Sequence, residues 1–231
     1  MLSIEDLSFS YGSVQTLRNV NMNMQPSRVT CVIGRNGAGK TTLMKNIMGL
    51  LKSSGGTVRM DDKDLTPLPA YRRARTGLAL APQGRQIFPK LTVEENLRVG
   101  LQARRVRVWR IPDEVFDLFP VLKEMSGRKG GDLSGGQQLQ LAIGRALVGN
   151  PQVLLLDEPT EGIQPNIIRQ IGDILRRLVD QRNMTIVLVE QYLDFVREFG
   201  HDFYVMDRGQ VVASGEMRKL SEELVNSHLT V

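Results

Sequence analysis

A short segment around position 40 has the residue types and spacing that bind phosphate groups. Gly34-Arg-Asn-Gly-Ala-Gly39-Lys40-Thr41 fits the pattern G-x-x-x-x-G-K-[ST]. Its glycines let backbone amides converge on phosphate oxygens, and the positive end of a following helix points to the same place. Lys40 would neutralise the β and γ phosphates, and the Thr41 hydroxyl would be a ligand of Mg²⁺. The segment predicts a nucleoside triphosphate site.

Two carboxylates follow an apolar run in Val153-Leu-Leu-Leu-Asp157-Glu158. A run without alternation is typical of a strand buried on both faces, and ligands bind at the carboxyl ends of such strands. Asp157 would hold the Mg²⁺ shell, and Glu158 could orient or deprotonate an attacking water. Together with the phosphate loop, the pair indicates phosphoryl transfer to water.

A third motif, Leu133-Ser134-Gly-Gly-Gln137, has two interpretations. Ser134 and Gln137 fit a capping box, which is an ordinary start of a helix. However, two adjacent glycines are costly in a helix, so they favour backbone amides that are exposed for a second phosphate contact.

The elements that must position these motifs are strands and helices in alternation. Short apolar runs predict strands near 28–33, 57–60, 78–81, 153–156 and 185–189, and the first sixty residues are strand-rich. Helices are expected from about Thr41 to Leu50 and after Pro165. This alternation predicts a mainly parallel α/β core.

The segment from about 84 to 148 is predicted to be a helical subdomain inserted in a single domain of residues 1–231. Thr92-Val-Glu-Glu95 matches a capping box, Pro112 opens a second short helix that Pro120 limits, and a third helix covers 134–148.

Composition excludes several classes of protein. The single cysteine, Cys31, excludes a disulfide framework, and two histidines, His201 and His228, disfavour a histidine metal site. No stretch approaches 18 consecutive apolar residues, and the N-terminus has no signal-peptide pattern, so we expect a cytoplasmic chain.

The charge balance is modestly basic, with 30 Lys and Arg against 25 Asp and Glu. Arg104, Arg105, Arg107 and Arg110 surround Trp109 in one dense stretch. A solvated face is favoured there over a polyanion site, and with 5% aromatic residues no base-stacking platform is evident.

Taken together, the motifs resemble the ATP-binding subunits of ABC transporters over essentially the whole chain. The resemblance implies a P-loop NTPase fold: an α/β ABC-type ATPase core with a mainly parallel sheet flanked by helices, an N-terminal antiparallel β part and an inserted helical subdomain. In that family, the Leu-Ser-Gly-Gly-Gln motif of one subunit closes over the γ-phosphate on its partner's phosphate loop, so that a dimer encloses two ATP molecules.

Individual roles carry over residue by residue. Tyr11 matches the aromatic residue that stacks on adenine, and Gln83 matches the glutamine that senses Mg²⁺ and water and reports to the membrane partner. The resemblance implies catalytic roles for Glu158, Lys40 and Gln191. It implies that Thr41, Gln83 and Asp157 are ligands of Mg²⁺. The residues implied to contact the nucleotide are Tyr11, Gly34, Arg35, Asn36, Gly37, Ala38, Gly39, Lys40, Thr41, Thr42, Gln83, Ser134, Gly135, Gly136 and Gln137.

Two positions depart from the family pattern. Gln164 stands where an aspartate usually ends the loop after Asp-Glu-Pro-Thr, and Gln191 stands where a histidine usually contacts the γ-phosphate. These departures, in Glu-Gly-Ile-Gln-Pro and Val-Glu-Gln, resemble one ATPase subunit of importers for branched-chain amino acids and urea. The stretches Pro82–Pro89, Gly130–Ser134, and Val189–Tyr192 with Asp194-Phe195 are most similar to the urea-type subunit.

The function implied is ATP hydrolysis that energises import of urea or a similar small polar solute. The alternatives are a branched-chain amino acid importer subunit, a catalytically degenerate nucleotide-binding regulator, and an ABC-type protein acting on nucleic acid or ribosomes. The implied partners are a second ABC ATPase subunit (with a homodimer possible in isolation), two membrane permeases and, indirectly, an extracytoplasmic solute-binding protein, but no nucleic acid. The implied location is cytoplasmic, peripheral on the inner face of the cell membrane.

Overall fold

The structure is a computed structural model that describes residues 1–104, 106 and 108–228. Arg105 and Arg107, half of the predicted basic stretch, lie outside the described residues. None of the described helices is both long enough and apolar enough to cross a membrane.

Two sheets form the centre of the described structure. Their strands are β1 (Leu2–Tyr11), β2 (Val14–Met24), β3 (Val29–Ile33), β4 (Gly55–Met60), β5 (Lys63–Asp64), β6 (Leu78–Ala81), β7 (Val153–Asp157), β8 (Thr185–Val189), β9 (Asp202–Asp207) and β10 (Gln210–Glu216). An antiparallel sheet has the order β2-β1-β4-β5, and a six-stranded sheet has the order β10-β9-β3-β8-β7-β6. In the larger sheet only β10 is antiparallel to its neighbour. The predicted parallel core and antiparallel N-terminal part are confirmed.

Helices surround the sheets. They are α1 (Lys40–Met48), α2 (Ala70–Arg75), α3 (Val93–Gly100), α4 (Asp113–Leu118), α5 (Pro120–Glu124), α6 (Gly135–Leu147), α7 (Pro165–Arg182), α8 (Leu193–Phe199) and α9 (Glu222–His228), with 3₁₀ turns at Leu101–Ala103, Gly130–Asp132 and Met217–Lys219. The predicted segment 84–148 contains α3 to α6, while its extent as a subdomain stays a prediction.

The helix boundaries correct one expectation and confirm another. Helix α1 ends at Met48 rather than Leu50, because Gly49 takes the left-handed conformation (φ 76°) and caps it. Helix α4 follows Pro112 and ends at Leu118, before Pro120, as predicted. Pro120 itself begins a further helix, α5, where its missing N–H costs nothing. The capping boxes at Thr92 and Ser134 are both present.

The central strands β3, β7 and β8 are buried at every position. They lie side by side and parallel, so their carboxyl ends meet at one edge of the sheet. The segments that leave this edge begin at Gly34, Glu158 and Glu190. The candidate site lies at this edge.

Candidate functional site

The phosphate loop leaves β3 through glycines that the fold requires. A Cβ at Gly34 would lie 2.3 Å from the Met206 carbonyl oxygen, so a larger residue would clash with backbone. Gly39 has a φ of 100°, which L side chains rarely adopt. The loop therefore turns sharply and directs its amides and the start of α1 to one place.

Lys40 lies inside this loop, with 4% of its surface exposed. Its Nζ donates to the carbonyl oxygens of Gly34 (2.7 Å) and Arg35 (3.1 Å). It also lies 3.4 Å from Glu158 Oε1. The ammonium group is thus brought next to the carboxylate predicted to act on water.

Thr41 and Asp157, the two residues predicted to hold Mg²⁺ beside the phosphates, contact each other. Thr41 Oγ1 donates to Asp157 Oδ1 at 3.2 Å. Burial raises the pKa of Asp157 to about 6, and the Thr41 hydrogen bond opposes that rise.

The Thr41 hydroxyl and the Asp157 carboxylate are oxygen ligands of the kind that Mg²⁺ prefers. Proteins usually hold this ion through one or two carboxylates plus substrate phosphates. Among residues 1–104, 106 and 108–228, no group of three or more His, Cys, Asp and Glu forms a metal cage. A site that is completed by a nucleotide needs no such cage. Bound there, Mg²⁺ would neutralise charge on the phosphate oxygens.

Glu158 accepts hydrogen bonds from two glutamine side chains. Gln83 Nε2 donates to Oε2 at 2.8 Å, and Gln191 Nε2 donates to Oε1 at 2.7 Å. The backbone of Glu158 is left-handed (φ 48°), and its N–H donates to the Val189 carbonyl at 2.9 Å. This backbone geometry holds the carboxylate at the edge of the sheet, where it could accept a proton from water.

Gln191 links this carboxylate to the phosphate loop. Its Nε2 also donates to Asn36 Oδ1 at 2.7 Å. Gln83, in the segment after β6, donates further to Glu161 Oε2 at 3.2 Å. Four predicted site residues, Asn36, Gln83, Glu158 and Gln191, therefore form one hydrogen-bonded group.

The Ser134–Gln137 motif lies in a different place. Ser134 caps α6: its N–H donates to Gln137 Oε1 at 2.9 Å, and the Gln137 N–H donates back to Ser134 Oγ at 3.4 Å. The motif lines a cavity of about 510 Å³ that also includes Gln164, at the start of α7. Thr41 and Asp157 line another cavity, of about 490 Å³. The capping interpretation is confirmed, and within one chain the motif does not join the phosphate loop.

Tyr11 stands at the end of β1, with 48% of its surface exposed and its ring edge-on to Phe9. Strand β2, which pairs with β1, runs beside the phosphate loop. A Cβ at Gly39 in that loop would lie only 3.1 Å from Leu17 Cδ2 in β2. The ring therefore belongs to the hairpin beside the loop. Its stacking on adenine stays a prediction.

Glu190 is a residue that the sequence analysis missed. It follows β8, is 2% exposed, and accepts backbone hydrogen bonds from two segments. Burial raises its pKa, whereas those hydrogen bonds lower it. A signal existed, since a carboxylate directly after a buried strand is the pattern that identified Asp157.

Comparisons with known proteins agree with this geometry. Residues 17–161 match the family model described as ABC transporter. The chain is 38% identical to the high-affinity branched-chain amino acid transport ATP-binding protein BraG of Pseudomonas aeruginosa, over 92% of this chain and 91% of BraG. It is 36% identical to the probable branched-chain amino acid transport ATP-binding protein LivF of Archaeoglobus fulgidus, over 96% of this chain and 94% of LivF.

A solved structure has the same fold. It is a dimeric ATP-binding cassette in a post-hydrolysis state, bound to ADP and phosphate. The TM-score is 0.86 and the identity 25%, over 95% of this chain and 100% of the other.

Proposed function

This chain belongs to the ABC transporter family, and we propose that it is the ATPase subunit of an importer for branched-chain amino acids. ATP hydrolysis is the activity of the family's ATP-binding subunits. The proposal extends that activity to a solute class and to roles for individual residues.

The observation that supports the solute class is the extent of the similarity to BraG and LivF. Each match covers more than nine-tenths of both chains, and both proteins are named for branched-chain amino acid transport. The similarity to urea-type subunits rests only on short stretches such as Pro82–Pro89. The relatives therefore favour branched-chain amino acids over urea.

In the proposed mechanism, the loop amides and Lys40 bind the phosphates and neutralise the charge that develops on them. Glu158 aligns the attacking water and accepts its proton, while Gln83 and Gln191 fix the direction of its two oxygens. Thr41 and Asp157 would hold Mg²⁺. The chain would work in a dimer with a second ATPase subunit, on the inner face of the membrane with two permeases.

Uptake measurements test the solute. In a strain that lacks this chain, we expect uptake of labelled leucine to fall to background and uptake of labelled urea to stay unchanged. The wild-type chain, expressed in that strain, should restore leucine uptake. Loss of urea uptake with intact leucine uptake would contradict the proposal and favour the urea-type importer.

The glutamine at position 191 predicts two unequal ATP sites. Gln191 donates a hydrogen bond to Glu158 but carries no positive charge, and charge-assisted hydrogen bonds are roughly twice as strong as neutral ones. We therefore expect this chain alone to be a slow ATPase. A partner subunit that has the histidine would use Ser134–Gln137 of this chain as its lid, so the mixed complex should exceed the sum of the two separate activities.

Steady-state ATP turnover of each subunit and of the mixture, at matched site concentrations, measures this asymmetry. In the mixed complex, the Lys40→Ala variant of this chain should leave most of the turnover, because the partner's own phosphate loop is intact. If this chain alone is as fast as the mixed complex, the two sites are not unequal.

A further inference from the structure

Glu190 is a buried carboxylate that lies within Val-Glu-Gln but was given no role by the sequence motifs. It is the first residue after β8, with 2% of its surface exposed, and its own N–H donates to the Val32 carbonyl at 3.2 Å. Its backbone is therefore fixed against β3. A carboxylate in such a place is costly unless hydrogen bonds compensate for its lost hydration.

Three backbone N–H groups provide that compensation. The Thr160 N–H donates to Oε1 at 2.9 Å, while the N–H groups of Gln191 (3.0 Å) and Tyr192 (3.4 Å) donate to Oε2. Thr160 lies in the loop after β7, and Gln191 and Tyr192 lie in the segment after β8. One carboxylate thus joins the backbones of two neighbouring loops.

These two loops hold the two sides of the Glu158–Gln191 contact. Glu158 is two residues before Thr160, and Gln191 directly follows Glu190. The 2.7 Å contact between Gln191 Nε2 and Glu158 Oε1 lies between the segments that Glu190 joins. A shift of either segment would separate Gln191 from Glu158, and a shift of the segment after β8 would also separate Gln191 from Asn36.

We propose that Glu190 is a positioning residue for ATP hydrolysis, which holds the loops after β7 and β8 so that the Gln191 amide meets the Glu158 carboxylate. It acts through Gln191 and touches neither ATP nor water. This inference rests on the role proposed above for Glu158.

The Glu190→Gln variant tests the proposal. Glutamine has the same shape, but its Nε2 would face a backbone N–H, so at least one donor loses its acceptor. An unsatisfied buried donor is expensive, so the two loops should move apart, and we expect kcat to fall about tenfold or more. The KM for ATP should stay within about threefold, because the phosphate loop and Lys40 bind the nucleotide.

A double-mutant cycle separates positioning from stability alone. If Glu190 acts through Gln191, the pair of changes Glu190→Gln and Gln191→Ala should lower kcat little more than the stronger single change. All rates are measured well below the midpoint of thermal unfolding of each variant. Glu95→Gln is the control, because the Glu95 carboxylate also accepts a hydrogen bond from a backbone N–H, that of Thr92, at 2.7 Å. Glu95 lies in α3, far along the chain from Glu190. The kcat of this variant should therefore stay at the wild-type value.

Two results would overturn the inference: an unchanged kcat in Glu190→Gln, or effects of the two changes that multiply. Both are judged beside the Glu158→Gln variant. If Glu158→Gln is inactive while Glu190→Gln is fully active, only the inference about Glu190 fails. If Glu158→Gln keeps wild-type turnover, the proposed role of Glu158 itself is wrong.

Discussion

The Glu158→Gln variant is expected to bind ATP but to hydrolyse it about two orders of magnitude more slowly than the wild-type chain, or slower still. A neutral amide can hold a water molecule but cannot accept its proton, and general-base catalysis contributes roughly 10²–10⁴-fold. The geometry adds to this loss. Both oxygens of Glu158 accept from glutamine amides, so an amide at position 158 would direct its own NH₂ group at one of them.

Single-turnover and steady-state hydrolysis, with nucleotide binding measured separately, check this expectation. The variant should also accumulate as an ATP-bound dimer, which size-exclusion chromatography with ATP detects. Glu161→Gln is a close control, since Gln83 Nε2 contacts that exposed carboxylate as well, at 3.2 Å, and its turnover should stay within a few-fold of wild type. Steady-state turnover of Glu158→Gln near the wild-type rate would contradict the assignment.

The parts of the site that the sequence predicted are those determined by local pattern. A buried strand followed by glycines, or by a carboxylate, places its next residues at the carboxyl end of the sheet. Gly34, Lys40 and Asp157 therefore lie where their spacing indicated. Ser134 caps a helix for the same local reason.

Contacts between segments that are distant in sequence could not be predicted in the same way. The bond between Gln191 and Asn36 joins residues far apart along the chain, and the bond between Gln191 and Glu158 also depends on the left-handed backbone of Glu158. Pro120 shows the other limit. The sequence indicated that a helix ends before Pro120, but it did not show that a second helix, α5, begins at Pro120 itself.

The Lys40→Ala variant is expected to lose productive binding of MgATP and, with it, hydrolysis at its own site. The Lys40 ammonium is held at the centre of the phosphate loop by the carbonyls of Gly34 and Arg35. Of the two cations in the loop, Arg35 is exposed and Lys40 is the buried one, which would neutralise the β and γ phosphates. A hydrogen bond to a charged group is worth roughly 1.5–3 kcal/mol, so two such bonds predict an affinity loss of about 100-fold or more.

Equilibrium titration with a fluorescent ATP analogue in the presence of Mg²⁺ measures the affinity. The fold should survive the change, because alanine has the highest helix propensity and position 40 is the first residue of α1. Lys52→Ala removes an equal charge from an exposed position shortly after that helix, so its affinity and turnover should match those of the wild-type chain. If Lys40→Ala keeps both its affinity and its turnover, the loop after β3 is not the working nucleotide site. The roles proposed for Thr41, Asp157 and Glu158 would then fail with it, because each depends on phosphates being bound at that loop.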